Sequence, residues 1–364
     1  MQNLTNLAVI FGGHSTEYEV SLQSAYSVLN NINTDDFAVI PIGITRDGTW
    51  FYYTGSYGKI PDDTWQQESD DLFPVTVSLN PSKKGFLILN ASHSSAVSQN
   101  FLYDEKAHGS FLAVDLVFPV LHGKNGEDGT LQGMFELAGV PVVGCNALSS
   151  ALCMDKDRAH KLVKQAGISV PKAVTFSHFN KKAALNKIAE TLSYPLFIKP
   201  VRSGSSFGIS RITCPSELEK AIEFAFTHDT QVTAEESVPG FECGCAILGI
   251  DELFVGRVDE IALSDGFFDY TEKYTLRSSR IYMPARIDPA MEKKIQTTAK
   301  TIYRILGCSG FARVDMFLTP EGEIVFNEVN TIPGFTLHSR YPNMMKGAGL
   351  FFPEMLERLL RLYV

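Results

Sequence analysis

The sequence predicts an α/β fold in three units, and three observations carry that prediction. Near the N-terminus, buried-type strands alternate with amphipathic helices, a pattern typical of a parallel sheet covered by helices. In the middle of the chain, two strands flank a loop of small residues. Near the C-terminus, a long amphipathic helix precedes a β-hairpin with polar residues on one face. We expect the units to span residues 1–144, 145–235 and 236–364.

In the first unit, the helix predicted by DGTLQGMFELAG has Asp128 as its expected N-cap and Gly139 just beyond its end. Residues 54–110 are polar, and we interpret them as an irregular, variable insertion. The other elements of this unit, in order, are the strand LAVIFGG (7–13), the helix within TEYEVSLQSAYSVLNNI (16–32), and the strands FAVIPIGIT (37–45) and VDLVFPVL (114–121).

The second and third units follow the same principle of strands packed against amphipathic helices. Elements expected in the second are a helix in MDKDRAHKLVKQAG (154–167), two strands in YPLFIKPVRSGSSFGISRIT (194–213), a helix in SELEKAIEFAF (216–226) and a strand in QVTAEESV (231–238). Elements expected in the third are strands in 243–250 and 253–263, a long loop at 264–284, a helix at 290–307, the hairpin 310–330 and a closing helix at 352–364.

Composition indicates a class of protein and argues against others. The chain has 364 residues, 45% of them hydrophobic and 20% charged, which is ordinary for an ordered globular protein. Its net charge of −9 argues against a nucleic-acid binder. We find neither a signal-peptide pattern nor the roughly 20 apolar residues of a membrane span. The six cysteines show no metal-ligand spacing, so we expect reduced core thiols and a cytoplasmic protein.

The C-terminal hairpin is expected to gather four polar side chains. With a two- or four-residue loop centred on 321–322, Asp315 lies opposite Glu328 and Arg313 lies opposite Asn330. Two carboxylates and a carboxamide oxygen suit Mg²⁺, which prefers oxygen ligands and often shares them with phosphates. The arginine suits an oxyanion beside the metal. A three-residue loop with a bulge would shift the register, and an exposed face of ion pairs is the alternative.

The small-residue loop RSGSSFG (202–208) joins two strands, so it is not a Walker loop, which would open a helix. Its glycines let backbone N–H groups approach phosphate oxygens, and we expect a lid over a triphosphate, with Lys199 ahead of it. A plain hairpin turn is the alternative. Lys156 is either a second phosphate ligand or a solvated charge. The segment 234–242 is a candidate hinge for a flat base, with Glu242 near a ribose.

These pieces, in this order, resemble the ATP-grasp superfamily and specifically the D-alanine–D-alanine ligases. The resemblance implies a three-domain ATP-grasp fold, in which a Rossmann-like (pre-ATP-grasp) parallel sheet precedes two ATP-grasp subdomains. The segments 267–287 and 338–347 are similar to VanG-type D-alanine–D-serine ligases of vancomycin-resistance clusters. The motifs that carry the family resemblance are GGHSTEYEVSL (12–22), LHGKNGEDGTLQG (121–133), MDKDRAHKL (154–162), IKPVRSGSSFGIS (198–210), FFDYTEKY (267–274), GFARVDMF (310–317) and NEVNTIPGFTLHSR (327–340).

The resemblance also implies cofactors and residue roles. Two Mg²⁺ ions, with Mn²⁺ as a substitute, are implied at Asp315, Glu328 and Asn330. ATP is implied to contact Lys156, Lys199, Ser206, Glu235, Glu236, Val238, Glu242, Lys273 and Asn327. For the first amino acid, Glu17 is implied to bind the ammonium group, with His122 nearby and with Ser205 and Tyr274 linked to Glu17. Arg313 and the Gly334 amide are implied to form the oxyanion hole, and Ser339 is implied to bind the carboxylate of the second amino acid.

Each of these roles has an unspecific alternative. Glu17 could complement a helix dipole, His122 could be a satisfied core histidine, and Tyr274 could be a packing aromatic. For the whole chain, the alternatives are a catalytically silent nucleotide-binding regulator or a different ATP-grasp enzyme, such as a carboxylase. We expect small-molecule substrates, no nucleic-acid or membrane partner, and a homodimer, because relatives are mostly dimers.

We expect the identity of the second substrate to depend on the residue that follows Ser339, the serine of the HS dipeptide in the last motif. Arg340 stands there, where many D-alanine-adding relatives have an apolar residue. Its guanidinium could donate to a hydroxyl or orient Asp259 to do so, and we therefore expect D-serine to be preferred over D-alanine. If Arg340 instead turns to solvent, the chain is an ordinary D-alanine–D-alanine ligase. The acyl phosphate intermediate hydrolyses readily, so we expect loop 264–284 to close over the site.

Overall fold

The computed structural model describes residues 4–67, 69–89, 111–263 and 279–364. Three sheets are found in this part of the chain. Each falls in one of the three units expected from the sequence, except that the second sheet extends one residue past its unit, to Glu236. The division into domains itself stays a prediction. Within the described ranges, no helix is both long and apolar enough to cross a membrane.

The first sheet is mixed, with a parallel centre. Strand β1 pairs in parallel with β2 on one side and β7 on the other, as the alternation of strands and helices predicts. The remaining strands extend this centre antiparallel from β2, in the order β6-β5-β4-β3-β2-β1-β7. The elements are β1 (Thr5–Gly12), α1 (Tyr18–Leu29), β2 (Phe37–Ile44), β3 (Trp50–Tyr53), β4 (Leu72–Val77), β5 (Gly85–Ile88), β6 (Phe111–Ala113), β7 (Leu116–Pro119) and α2 (Thr130–Leu137).

Two expectations for this unit were wrong in detail. Residues 54–89 are not wholly irregular, because strands β4 and β5 lie there. Both strands are short and β4 contains a proline, so the sequence pattern did not predict them. The N-cap of α2 is Gly129 rather than Asp128, whose carboxylate accepts a hydrogen bond from the Thr130 amide at 3.0 Å. Gly139, with φ of +70°, ends the helix as expected.

The second sheet is antiparallel, in the order β10-β9-β11-β8, and two helices pack against it. Its strands β9 and β10 flank the small-residue loop, as predicted. The elements are α3 (Ala147–Met154), α4 (Lys156–Gln165), β8 (Ala173–Ser177), α5 (Lys181–Thr191), β9 (Leu196–Pro200), β10 (Ser210–Ile212), α6 (Leu218–Phe226) and β11 (Gln231–Glu236).

The third sheet is antiparallel, in the order β14-β13-β12-β15-β16. Its core includes Cys153, Ala159 and Val163 from α3 and α4, so these two helices pack on the third sheet although they precede the second in sequence. The elements are β12 (Phe241–Gly249), β13 (Phe254–Leu263), β14 (Ser279–Tyr282), α7 (Pro289–Ile305), β15 (Gly310–Leu318), β16 (Ile324–Asn330), α8 (Arg340–Gly347) and α9 (Phe352–Leu360).

The predicted loop 264–284 is therefore partly strand, because β14 pairs with the end of β13. Its residues 264–278 lie outside the described residues. Helices α8 and α9 join the core of the first sheet, where Tyr341 and Met355 are fully buried together with Leu7. The C-terminal end of the chain thus ties the third unit to the first. All six cysteines are free thiols, and five are buried.

Candidate active site

The hairpin β15–β16 has the predicted pairing, for a reason that the sequence did not reveal. Its turn is a three-residue loop, in which the Thr319 amide donates to the Glu323 carbonyl at 3.0 Å and Gly322 has φ of +80°. Such a loop alone would place the polar residues one position out of register. A β-bulge after Asp315 absorbs this shift, so that Asp315 pairs with Glu328 and Arg313 with Asn330. The extra residue is Asn327.

The bulge also explains why two consecutive residues, Asn327 and Glu328, line the same cavity. On a regular strand they would point to opposite faces. The cavity measures about 580 Å³ and lies between the second and third sheets. It is lined by Lys156, Lys199, Ser206, Glu235, Glu236, Val238, Glu242, Asn327 and Glu328, which are the implied nucleotide residues within the described chain, together with the implied metal ligand Glu328.

The polar side chains of the hairpin converge on one face. Asp315 is buried, and its carboxylate accepts from Arg313 Nε and Nη2, each at 2.7 Å. Asn330 Nδ2 donates to the same carboxylate at 2.9 Å. Glu328 lies 3.2 Å from the Lys156 ammonium. Two carboxylates and a carboxamide on one face, already approached by cationic groups, are a donor set that fits a hard divalent cation.

The lysines of the cavity are buried rather than solvated. Lys156 Nζ donates to the Ser203 carbonyl at 2.9 Å, which ties helix α4 to the small-residue loop. Lys199 Nζ donates to Glu235 Oε2 at 2.5 Å. Burial alone would raise the pKa of Glu235, but the charges of Lys199 and His160 hold it below its usual value. Two buried ammonium groups beside a cavity suit the phosphates of a nucleotide.

Glu235 carries an unsatisfied acceptor. Its Oε1 is buried and has no hydrogen-bond partner among the described residues. A buried carboxylate oxygen without a donor is costly, so a donor is expected to reach it when the cavity is filled. The amino group of an adenine is such a donor. This orphaned oxygen is the structural observation that fits a purine nucleotide in this cavity.

The small-residue loop reaches across to the first unit. Ser205 Oγ donates to Glu17 Oε1, the link that the resemblance implied. Gly204 lies so close that an added Cβ would be 2.8 Å from Glu17 Oε2. Ser205 and Ser206 have φ of +47° and +60°, a strained conformation for serine that the loop tolerates here. The loop therefore closes one end of the cavity against Glu17, the N-cap residue of helix α1.

His122 is held by the protein at both of its ring nitrogens. Its Nδ1 pairs with the Ile332 carbonyl at 2.8 Å and its Nε2 with Ser24 Oγ at 3.0 Å, so both ring nitrogens are satisfied by the protein. Burial lowers the pKa of this imidazole and keeps it neutral. In this arrangement His122 joins the first unit to the loop after β16, and its place near the first substrate stays a prediction.

The loop after β16 brings Gly334 and Ser339 together. An added Cβ at Gly334 would be 3.0 Å from Ser339 Oγ. Ser339 is the N-cap residue of α8, and its hydroxyl accepts from the Thr336 amide at 3.1 Å. The two positions implied for the oxyanion and for the second carboxylate thus lie side by side.

Arg340 does not turn to solvent. Its side chain is only 11% exposed, and its Nε and Nη2 donate to the two oxygens of Asp259 at 2.7 and 2.8 Å. Nη1 donates to Glu242 Oε1 at 3.2 Å. Burial opposes the charge, but Asp259 and Asp315 raise the pKa of Arg340 well above its usual value. Asp259 is fully buried, so it holds the guanidinium in place rather than facing a cavity.

Comparison with known proteins agrees with this geometry. The family profile described as D-ala D-ala ligase N-terminus matches residues 6–145, and the one described as D-ala D-ala ligase C-terminus matches residues 162–361. The chain belongs to the D-alanine–D-alanine ligase family. It is accordingly an ATP-dependent ligase that acts on small molecules with a divalent metal ion. Lys273 and Tyr274, implied for ATP and the closing loop, lie outside the described residues.

Several ligases resemble this chain along its whole length. The crystal structure of VanG D-Ala:D-Ser ligase from Enterococcus faecalis is 66% identical with a TM-score of 0.90, and each chain is covered completely. The vancomycin B-type resistance protein VanB from Enterococcus faecalis is 42% identical, over 100% of this chain and 99% of its own length. D-alanine–D-alanine ligase A from Escherichia coli is 37% identical, over 98% and 94%.

One buried carboxylate of the ligase escaped sequence analysis. Glu127 accepts from the Gly123 amide at 2.8 Å and from the Ile332 amide at 3.0 Å, which joins the first unit to the loop after β16. Burial, and then the charge of Glu17, raises its pKa to about 8. An acidic residue inside the glycine-rich motif GKNGEDG was the available signal, but its partner lies 205 residues away.

Proposed function

We propose that this ligase activates D-alanine as an acyl phosphate and joins it to D-serine, giving D-Ala-D-Ser for peptidoglycan precursors of the vancomycin-resistance type. The observation that carries the proposal is the buried Arg340, which Asp259 holds beside Ser339 instead of releasing to solvent. The likeness to a protein named VanG D-Ala:D-Ser ligase, at 66% identity, supports it.

In the first half-reaction, the carboxylate of D-alanine attacks the γ-phosphorus of ATP, and ADP leaves. Glu17 is proposed to hold the ammonium of D-alanine. Ser205, which donates to the Glu17 carboxylate, and Tyr274 are proposed to fix the Glu17 side chain in place. Lys156, Lys199 and Lys273 are proposed to offset the charge on the phosphoryl group. Other proposed contacts with ATP are Ser206 in the lid, Glu235 and the 236–238 backbone at the adenine, Glu242 at the ribose, and Asn327.

Asp315, Glu328 and Asn330 are proposed to hold two Mg²⁺ ions, with Mn²⁺ as a substitute. When bound, the metal supplies positive charge to the phosphates.

In the second half-reaction, the amine of the second amino acid attacks the acyl carbon. A C–N bond forms, inorganic phosphate leaves, and the amine loses a proton. Arg313 donates hydrogen bonds to Asp315 through Nε and Nη2. Among the described residues, none accepts a hydrogen bond from Arg313 Nη1. We propose that Nη1 and the Gly334 amide stabilise the oxyanion, while Ser339 receives the carboxylate of the second substrate.

Selection of D-serine follows from the charge at the second subsite. A methyl group beside the Arg340 guanidinium would desolvate it without a hydrogen bond, whereas a hydroxyl can accept one. A site built to bond a hydroxyl discriminates strongly against an analogue that lacks it.

Competition between substrates tests the proposal. The enzyme is incubated with ATP, Mg²⁺, D-alanine and equimolar D-serine, and the dipeptides are quantified by mass spectrometry. Dominant D-Ala-D-Ser supports the proposal, and dominant D-Ala-D-Ala identifies an ordinary D-alanine–D-alanine ligase. Phosphate release with and without D-alanine is measured in parallel, because a silent nucleotide-binding regulator would show no dependence on D-alanine.

We also propose that the ligase is a homodimer. Light scattering coupled to size exclusion gives the mass in solution, to be compared with 40.2 kDa for one chain. A mass equal to one chain would contradict the dimer and leave the reaction unaffected.

A further inference from the structure

Gly244 occupies the centre of the polar face of the third sheet. It lies on β12, paired with Asp259 of β13 on one side and with Asp315 of β15 on the other. Cross-strand partners project from the same face of a sheet, so the two carboxylates flank a position that has no side chain. The Gly244 amide also donates to Asp259 Oδ1 at 2.9 Å.

The space above Gly244 is filled by Arg340. An ideal Cβ added at residue 244 would lie 2.5 Å from Arg340 Nη2, 2.9 Å from Asp259 Oδ1 and 2.8 Å from Met344 Cε. These separations are shorter than van der Waals contact allows. Any side chain at this position is therefore incompatible with the guanidinium where it now lies, between the carboxylates of Asp259 and Asp315.

We propose that Gly244 is a specificity-determining position of this ligase, because its missing side chain is what seats the Arg340 guanidinium at the second subsite. The inference rests on the proposed D-serine preference. Gly244 itself touches no substrate and acts through Arg340, so it is a positioning residue.

The three atoms nearest the added Cβ are all ends of flexible side chains. No backbone atom is among them, in contrast to Gly240, where a Cβ would lie 2.0 Å from the Leu318 carbonyl oxygen. The Gly244→Ala variant is therefore expected to keep the fold while the guanidinium shifts. Displacement of a charged donor by about 1 Å weakens its hydrogen bond to a substrate hydroxyl steeply.

The test is the product ratio in the substrate competition, measured for wild type, Gly244→Ala, Arg340→Ala and the double variant. We expect Gly244→Ala to lower the D-Ala-D-Ser to D-Ala-D-Ala ratio by at least about tenfold, the equivalent of one lost hydrogen bond to a charged group. In the Arg340→Ala background, Gly244→Ala is expected to change the ratio little, because the group it displaces is absent.

Gly133→Ala is the matched control. Its added Cβ would make an ordinary contact, 3.7 Å from Ala147 Cβ, so the ratio should stay at the wild-type value. An unchanged ratio in Gly244→Ala, or an effect that adds in full to that of Arg340→Ala, overturns the inference and leaves the proposed function standing. A wild-type enzyme that makes mainly D-Ala-D-Ala overturns the proposed function first, and the inference with it.

Thermal unfolding decides the case in which Gly244→Ala folds poorly. If the clash is with Arg340, the loss of melting temperature caused by Gly244→Ala is smaller in the Arg340→Ala background than in the wild type. An equal loss in both backgrounds places the clash elsewhere and overturns the inference.

Discussion

Two groups of residues share one face of the third sheet and differ in how they are built. The hairpin half consists of Arg313, Asp315, Glu328 and Asn330, which one β-turn brings together. The selectivity half consists of Gly244 and Asp259, on the neighbouring strands β12 and β13, and of Arg340, from a helix 81 residues beyond Asp259 in the sequence. The first half depends on local pairing, whereas the second depends on the complete tertiary fold.

The two halves also differ in exposure. In the hairpin half, the Glu328 side chain is 20% exposed and lines the cavity between the second and third sheets. In the selectivity half, Asp259 is 1% exposed and both its oxygens are bound by Arg340. The hairpin half thus opens to a ligand through Glu328, although its Asp315 is as buried as Asp259, while the selectivity half is already assembled. The two halves touch where Arg340 lies 3.6 Å from Asp315. We infer that chemistry and choice of substrate are nevertheless separable, and the following predictions test that separation.

The largest effect is expected in the hairpin half. Glu328→Gln removes one negative charge from the implied metal site and should lower kcat by about 10²–10³-fold. The residual product ratio should match wild type, because the selectivity half is untouched. Steady-state phosphate release and dipeptide analysis measure both quantities. Glu321→Gln, on the exposed turn of the same hairpin, is the control and should behave as wild type.

A smaller but more specific effect is expected in the selectivity half. Asp259→Asn keeps the size of the side chain and removes the charge that holds Arg340. The preference for D-serine should fall by about 10–100-fold while total ligation persists. Asp251→Asn, on the exposed loop between β12 and β13, is the matched control. A large fall in total ligation by Asp259→Asn, with the ratio of the remaining products unchanged, would mean that the two halves are not separable.

The lid contact should give a change of about tenfold. Ser205→Ala removes the hydrogen bond to Glu17, worth roughly 1.5 kcal/mol for a bond to a charged group. Because Glu17 is proposed to hold the first D-alanine, the KM for that substrate should rise while the KM for ATP stays close to wild type. Initial rates over a range of D-alanine concentrations, with saturating D-serine, measure the change. A raised KM for ATP alone would place Ser205 at the phosphates instead.

The last prediction concerns stability rather than activity, at Glu127, which joins the first unit to the loop carrying Gly334. Its folded pKa of about 8 exceeds the value of 4.5 expected in the unfolded chain, so the folded state binds the extra proton between these pH values. Stability should therefore fall as pH rises from 4.5 to 8, by at most about 1.4 kcal/mol per pH unit, and level off above. Urea unfolding measures the slope, which should be shallower in Glu127→Gln. Equal slopes would show that Glu127 does not hold that proton.

The same contrast decides what the sequence could predict. Pairing of Asp315 with Glu328 was predicted correctly, although the turn was taken to have two or four residues and a bulge at Asn327 supplied the missing shift. Periodicity found the long strands and helices, but not the short strands β4 and β5, whose burial depends on their neighbours. Family resemblance supplied an expected role for residues such as Glu235. It did not reveal that Glu235 Oε1 is buried without a hydrogen-bond partner among the described residues, which is the physical support for that role.

Gly244 and Glu127 could not be found from the sequence. A glycine in a strand offers no pattern of its own, and its meaning depends on Arg340, which follows 96 positions later in the chain but lies directly above it. Glu127 likewise gains its role from an amide of a distant loop. The selectivity half is formed by contacts that exist only in the tertiary fold. For this reason, family resemblance alone did not decide the identity of the second substrate.

Positional isotope exchange in Arg340→Ala tests the separation most directly. ATP labelled with ¹⁸O at the β,γ-bridge is incubated with the variant, Mg²⁺ and D-alanine alone, and scrambling of the bridge oxygen reports reversible formation of the acyl phosphate. If this step does not need Arg340, scrambling proceeds at a rate close to wild type although the choice of D-serine is lost. Scrambling that disappears together with the D-serine preference would contradict the account, because chemistry and selection would then depend on the same residues.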